Sequence, residues 1–371
     1  MNREGPQTPA EATEQLSPIS RLRGRVLSFP TLAAVAIGGA LLALVLVRFF
    51  DIDWGEVWRD VRSTRPGPYL LALALYYTSF WFRGLRWRLI ARTAGLEKSS
   101  SAEVPRTLTM SGIILMGWFA NSVAFLRLGD AYRGWALARE SKSGVSASLG
   151  TVLAERVQDM AAVLVLVLVA GALLASDPAV EAPVSVVIAA VALVAALIAG
   201  LIVMRTFGMR LARWLPGRLQ KSYAGFQSGT LQSFHPRALP LQLALGAAGW
   251  MLEIARLYYV AEGVGVELSF GVIMFAALAN AMLTTIPTPG GFGFVESGLT
   301  GLLIFFGLDN TTAFSVTLVD RTISWISVVI FGGLLFFYWH FVRPRRKSET
   351  RPQALTEPGQ ARPASGTERK P

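Results

Sequence analysis

The sequence predicts an all-α polytopic membrane protein, and three observations carry that expectation. Of 371 residues, 53% are hydrophobic and only 16% are charged, where soluble domains carry about 25% charge. Mean hydropathy is +0.46. Apolar runs recur along the chain at lengths that suit a hydrocarbon core about 30 Å thick, at about 1.5 Å per helical residue. The basic residues cluster at the ends of those runs, as they do at cytoplasmic membrane edges.

Taken in order, residues 1–28 are polar and read as a disordered cytoplasmic tail, with a membrane domain over 29–342 and a disordered basic cytoplasmic tail over 343–371. Residues 30–47 lack a charge for a full span and read as a retained helix rather than a signal peptide. A second span, 68–82, ends at Arg83, Arg86, Arg88 and Arg92. Residues 108–126 are apolar but interrupted by Gly112, Gly117, Asn121 and Ser122. Strong spans follow at 160–175 and 184–204. Residues 239–260 contain Glu253 and Arg256, and 268–286, 294–308 and 311–341 complete the set.

Segments 83–106, 127–159 and 205–238 and the C-terminal tail are basic, whereas 176–183 and 257–267 carry only acidic charges. The basic segments belong inside and the acidic ones outside. Both flanks of 107–126 are basic, so that segment is expected to enter and leave from the cytoplasmic side as a re-entrant pair of half-helices. About eight transmembrane helices result, plus re-entrant or broken helices, with both termini cytoplasmic. Between spans, 205–235 repeats Phe207, Leu211, Trp214, Leu215 and Leu219 among Arg210, Arg213, Arg218 and Lys221. It reads either as a basic interfacial helix on an anionic inner leaflet or as a packed connector.

Composition excludes several classes. A net charge of +11 without aromatic-interleaved basic patches argues against nucleic acid. There is no cysteine, and only His235 and His340, so disulfides, thiolate zinc sites and a metal site are not expected. No Walker or dinucleotide motif occurs, so no cofactor is expected.

Three constellations could carry chemistry. Pro287, Pro289, Gly290, Gly291 and Gly293, followed by Glu296, break a helix between apolar runs. Unwound backbone at membrane depth must be buried or line a wet cavity. The next half-helix would then aim its N-terminus at a phosphate, or else Glu296 simply caps a turn. Alanine at Gly290 and Gly291 is expected to spare stability while abolishing function. Asn121 and Ser122 with Arg127, Asp130 and Arg133 end the other interrupted run. Each region joins a polar, glycine-containing break to one acid, an echo that points to an internal inverted repeat. Glu155, Arg156 and Asp159, with Asp320 and Arg321, place charge inside or beside spans, where ionisable groups face partners or water; Glu253 and Arg256 read as a helix-holding pair. Asp51 and Asp53, after the first span, admit a metal-assisted glycosyl transfer or plain hydrated carboxylates.

These pieces together resemble the lysylphosphatidylglycerol synthase transmembrane family, the flippase-like domain of multiple peptide resistance factors and their stand-alone relatives. The resemblance rests on Arg86-Trp87, on Arg127-Leu128-Gly129-Asp130 with Arg133, and on Glu155-Arg156-Val157-Gln158-Asp159. It rests further on Ile286-Pro287-Thr288-Pro289-Gly290-Gly291-Phe292-Gly293 with Glu296, and on Arg321. It covers roughly residues 30–342. It implies a bacterial inner-membrane lipid translocase, without the soluble aminoacyl-transfer domain and without covalent chemistry of its own. A phosphate-bearing lipid is the implied ligand, held by Arg127, Arg156 and Arg321, with Glu155, Asp159 and Glu296 either orienting them or meeting a cationic headgroup. A homo-oligomer or a partner lipid-modifying enzyme is compatible, as is a scaffold role. A glycosyltransferase using a polyprenyl-phosphate sugar is the alternative.

Overall fold

The computed structural model describes residues 52–97, 103–124, 127–175, 184–284 and 288–343. The expected tails, the first span, Asp51 and Pro287 lie outside the described residues, as does the side chain of Pro289.

The described residues are helical throughout. The first half contains α1 (Trp54–Ser63), α2 (Pro66–Thr93), α3 (Thr107–Val123), α4 (Leu128–Ser141) and α5 (Val145–Ala175). The second contains α6 (Val184–Ala212), α7 (Gly217–Gln232), α8 (Leu239–Val264), α9 (Phe270–Leu283) and α10 (Phe294–Phe305). It ends with α11 (Asn310–Arg321) and α12 (Val328–Phe337), joined by a π-helical stretch at Thr322–Ser327.

Among the described residues, Val145–Ala175, Val191–Ala212 and Asn310–Val342 are long and apolar enough to cross a membrane. Helices α2 and α8 have 28 and 26 residues but carry buried charge. They solve that problem on each other, packing along their length. Gly263 of α8 lies near Pro68 of α2, while Arg83 meets Glu253 further along. The two helices are therefore antiparallel.

Helices α3, α4, α9 and α10 have 17, 14, 14 and 12 residues. At about 1.5 Å per residue the longest reaches about 25 Å, short of an average bilayer core. They form two antiparallel hairpins. In the first, Tyr132 Oη donates to Met116 Sδ at 3.4 Å and Gly129 N donates to Asn121 Oδ1 at 2.8 Å. Gly117 and Gly129 face each other so closely that neither has room for a side chain. In the second, Gly298 closes on Leu283, and the Phe275 and Phe306 rings meet edge-on, 6.0 Å between centroids. The expectation that 107–126 itself folds back is corrected here. Thr107–Val123 is unbroken because its glycines serve close packing, and the return limb is Leu128–Ser141.

The halves repeat one another. Each runs a short amphipathic or connector helix, a long charged helix, a half-length hairpin and a long apolar helix, in that order. Packing repeats too: α3 lies on α12, while its counterpart α9 lies on α5. Because the counterparts α2 and α8 run antiparallel, the repeat is inverted. Of the two readings for 205–235, the connector describes α7, whose Gly225 and Gly229 press on Ser146 and Ala147 of α5. Trp214, at the corner before it, is 90% exposed.

Candidate functional site

The two hairpins meet tip to tip. Arg127 Nη1 donates to the Thr284 carbonyl at 2.7 Å, and Gly290 lies against the backbone of Ser122. The tips, with α2, α5, α8 and the π-helical stretch, enclose a cavity of about 160 Å³. Arg83, Arg127, Arg156, Arg256 and Arg321 line it, together with Trp118, Trp250 and Trp325. Each arginine has a physical reason to be ordered there.

On the first-half side, Asp130 sits in the first turn of α4, where the helix dipole favours an acid. It accepts from Arg156 at 2.7 Å and lies 3.5 Å from Arg127. Behind it, Glu155 pairs with Arg133 and, at 3.2 Å, with Arg86, while Arg86 reaches Asp159 at 2.7 Å. Arg133 also stacks over Trp87, whose indole N–H donates to Thr151. This rear network is buried and does not face the cavity.

The second-half side repeats the plan. Glu296, in the first turn of α10, pairs with Arg321 at 2.7 Å. Asp320 pairs with Arg256, which shares Glu253 with Arg83 at 3.1 Å each. Thus the doublets Glu155-Arg156 and Asp320-Arg321 occupy equivalent places. Each arginine turns to the acid on the second limb of its hairpin, and each acid turns to an arginine of the long charged helix.

The break between α9 and α10 is compact. Gly290, Gly291 and Gly293 have φ of 60°, 72° and 90°, a region other residues enter only at a cost. The Gly290 carbonyl accepts from Arg321 Nη2 at 3.0 Å. The expectation that alanine would be tolerated here is corrected. A methyl at Gly290 would collide with the Trp325 indole, and one at Gly291 would lie 2.6 Å from Val295 Cγ2. The helix N-terminus is also occupied from within: the Gly293 N–H donates to Glu296 Oε2 at 2.7 Å. Of the two sequence readings of Glu296, the reach back onto the turn is the contact its carboxylate makes here.

Four further cavity groups have buried polar atoms without a protein partner among the described residues: Trp250 Nε1, Trp325 Nε1, Asn280 Oδ1 and Thr288 Oγ1. Buried polar atoms are ordinarily paired, and these four belong to side chains that line the cavity.

Of the sequence-predicted residues, Arg127, Arg156, Gly290, Gly291 and Arg321 line the cavity, while Asp130, Glu296, Arg133, Glu155 and Asp159 brace its arginines from behind. Sequence reasoning missed Arg83, Trp118, Trp250, Asn280 and Trp325, and took Glu253 and Arg256 only as a fastening. Isolated Trp and Asn in apolar runs carry no local signal. The three-residue spacing of Arg83/Arg86 and Glu253/Arg256 would have pointed to both helices. Asp53 caps α1, its Oδ1 accepting from the N–H groups of Gly55 and Glu56 at 2.8 and 3.1 Å. Among the described residues no cluster of three potential metal ligands occurs.

Long apolar helices, two half-length hairpins and an arginine-lined cavity at an inverted-repeat interface define a polytopic membrane protein of the broken-helix class. Within that class the chain belongs to the family described as the lysylphosphatidylglycerol synthase TM region, which matches residues 31–332. It is similar to a UPF0104 membrane protein of Methanocaldococcus jannaschii, 33% identical over 226 residues, covering 59% of this chain and 93% of that protein. A UPF0104 membrane protein of Methanothermobacter thermautotrophicus is 23% identical over 316 residues, covering 79% and 90%.

Proposed function

We propose that this protein is a lipid translocase in which the headgroup of a phosphate-bearing lipid passes between the hairpin tips. The observation that carries the reading is the cavity itself: Arg127, Arg156 and Arg321, drawn from both halves, converge among lining side chains that hold unpartnered polar atoms. Guanidinium groups bind phosphate through paired N–H donors and stay charged when desolvated. Asp130 and Glu296 hold two of these arginines in place, and Arg86, Arg133, Glu155 and Asp159 brace the first-half side.

In the proposed membrane arrangement, α2, α5, α6, α8 and the α11–α12 helix cross together with segment 30–47, and the hairpins enter from opposite faces. The basic ends 88–106, 139–145 and 205–238 then lie inside and the acidic 176–183 and 257–267 outside, with both termini cytoplasmic. Arg83, Arg127 and Arg156 of the expected inside segments sit instead at the depth of the hairpin tips. This arrangement has six crossings because α9 and α10 are limbs of one re-entrant hairpin rather than separate spans. The corner of α6 and α7, with Arg210, Arg213 and Arg218 beside exposed Leu211 and Trp214, rests on the anionic inner leaflet. The glycosyl-transfer alternative has less behind it, since the Asp53 carboxylate already serves as a helix cap.

The test is transport. In proteoliposomes holding the purified full-length chain, a headgroup-accessible fluorescent phospholipid in the inner leaflet should become quenchable from outside. An Arg156→Lys/Arg321→Lys variant that folds should lose most of that rate. Unchanged transport by the variant, or none by the wild type under any lipid or ion gradient, refutes the proposal.

A further inference from the structure

Charge pairing at the cavity is complete except at one place. The five lining arginines, and every group joined to them by ion pairs, comprise seven arginines and six carboxylates among the described residues. The second-half pair Arg321–Glu296 is balanced, and so is the set Arg83, Arg256, Glu253 and Asp320. The surplus positive charge sits in the first-half set, where Arg86, Arg127, Arg133 and Arg156 meet only Asp130, Glu155 and Asp159.

Within that set Arg127 is the weakly compensated member. Its contact to Asp130 is 3.5 Å, and Asp130 is engaged more closely by Arg156 at 2.7 Å. Arg127 is also where the two halves differ. It begins α4 with φ of 52°, at the place where Gly293 begins α10 with φ of 90°. A left-handed backbone at a non-glycine residue is costly and collects at functional positions. The second half starts its helix from a glycine at this place, also at positive φ, so the Arg127 guanidinium has no counterpart there.

Every carboxylate that reaches the cavity is already paired to at least one arginine, so none is free to receive an ammonium group. Apart from the guanidinium Nε atoms of Arg83, Arg156 and Arg321, the lining groups without a hydrogen-bond partner among the described residues are neutral: the indoles of Trp250 and Trp325, the Asn280 amide oxygen and the Thr288 hydroxyl. Asn280 is 7% exposed, so its amide oxygen gives up hydration without a return inside the protein. Neutral donors and acceptors of this kind match hydroxyl groups.

We infer that the cavity selects a headgroup of net charge −1 consisting of a phosphodiester and an uncharged polyol, and disfavours headgroups that carry an amine. The inference rests on the translocase reading for its lipid source, but its chemistry concerns the cavity alone. The phosphodiester neutralises the surplus charge at Arg127, and the polyol hydroxyls engage the indole and amide groups. A zwitterionic or aminoacylated headgroup would bring an ammonium into a site with no unpaired acid, where an uncompensated cation is strongly disfavoured.

The experiment measures binding and transport separately on the full chain in mild detergent and in proteoliposomes. Short-chain phosphatidylglycerol, phosphatidylethanolamine and phosphatidylcholine are titrated while thermal unfolding is followed, with deacylated glycerophosphoglycerol as the headgroup without chains. Phosphatidylglycerol should bind about tenfold or more tightly than either zwitterion, as expected for one charge-assisted contact. Arg127→Gln should cut that ratio to about threefold or less, and Asn280→Asp should shift preference toward phosphatidylethanolamine. Equal or tighter binding of the zwitterions by the wild type overturns the inference, even if lipids are transported. Preferential binding of phosphatidylglycerol without transport supports the inference and refutes the translocase reading. Glycerophosphoglycerol binding as tightly as the lipid supports the headgroup chemistry and points to a soluble source. Should Arg127→Gln fail to fold, Asn280→Asp decides: an unchanged preference overturns the assignment.

Discussion

Replacing Gly290 by alanine is expected to destabilise the protein, and the structure sets the size of the effect. Gly290 has φ of +60°, where an L-residue costs about 1–2 kcal/mol. Its new methyl would meet the Trp325 indole, which is held between Phe292 at 6.0 Å and Arg321 at 5.7 Å. Overpacking of that kind adds about 1–3 kcal/mol, for a total of about 2–5 kcal/mol. In a protein of 371 residues that corresponds to a Tm lowered by roughly 3–6 °C. Gly301→Ala is the control: it lies in α10 with open space around the added methyl, and should be neutral or slightly stabilising. Thermal unfolding of the purified variants in one detergent checks both. A Gly290→Ala protein melting within about 2 °C of wild type would mean that Trp325 does not sit against the break.

Gly129→Ala should prise α3 from α4, because its methyl meets the Gly117 carbonyl; a stability loss of about 1–3 kcal/mol or more is expected, whereas Gly144→Ala, with open space, should be nearly silent. Arg86→Gln strands Asp159 in a buried site, while Glu155 keeps Arg133, and should cost about 3–5 kcal/mol; adding Asp159→Asn should recover part of it, and a cycle without coupling would deny the pairing. Asp309 caps α11 by accepting from Thr312 N–H at 2.9 Å, which lowers its pKa below the usual carboxylate value. That stabilisation is present above the ordinary carboxylate pKa and is lost as pH falls through the depressed one. Asp309→Ala should therefore cost about 1 kcal/mol near neutrality, and the gap to wild type should close in acid; a gap independent of pH would contradict the cap. The chain lacks cysteine, so single cysteines at 142 and 308 can report the hairpin bases: an impermeant maleimide should reach the first only from inside and the second only from outside.

Much of this arrangement is legible in the sequence because charge is expensive at membrane depth. Arg156, Asp159 and Arg321 stand out against apolar neighbours, and Pro289 with its glycines announces a break. The acid–arginine doublets Glu155-Arg156 and Asp320-Arg321 follow Asp130 and Glu296 at nearly equal spacing, so the repeat too is written in the chain. What is not legible is direction. Whether an apolar run of 14 residues crosses or turns back depends on its partner, and Gly298 against Leu283 or Gly129 against Gly117 becomes visible only when the helices meet. Nor does sequence say that the Glu253–Arg256 pair fastens α8 to α2 and α11 while also lining the cavity. The role of Glu296 turned on the same point, since only geometry puts its carboxylate on Gly293 N–H.

The most direct measurement is photo-cross-linking in proteoliposomes with a phosphatidylglycerol carrying a photoreactive group on its headgroup, followed by peptide mapping. The account predicts adducts on the two hairpin tips and the cavity tryptophans, around 118–127, 250 and 284–293, competed by unlabelled phosphatidylglycerol and reduced by Arg127→Gln. Adducts confined to the lipid-facing surfaces of α6 and α12, unaffected by competitor, would place the headgroup path elsewhere and contradict it.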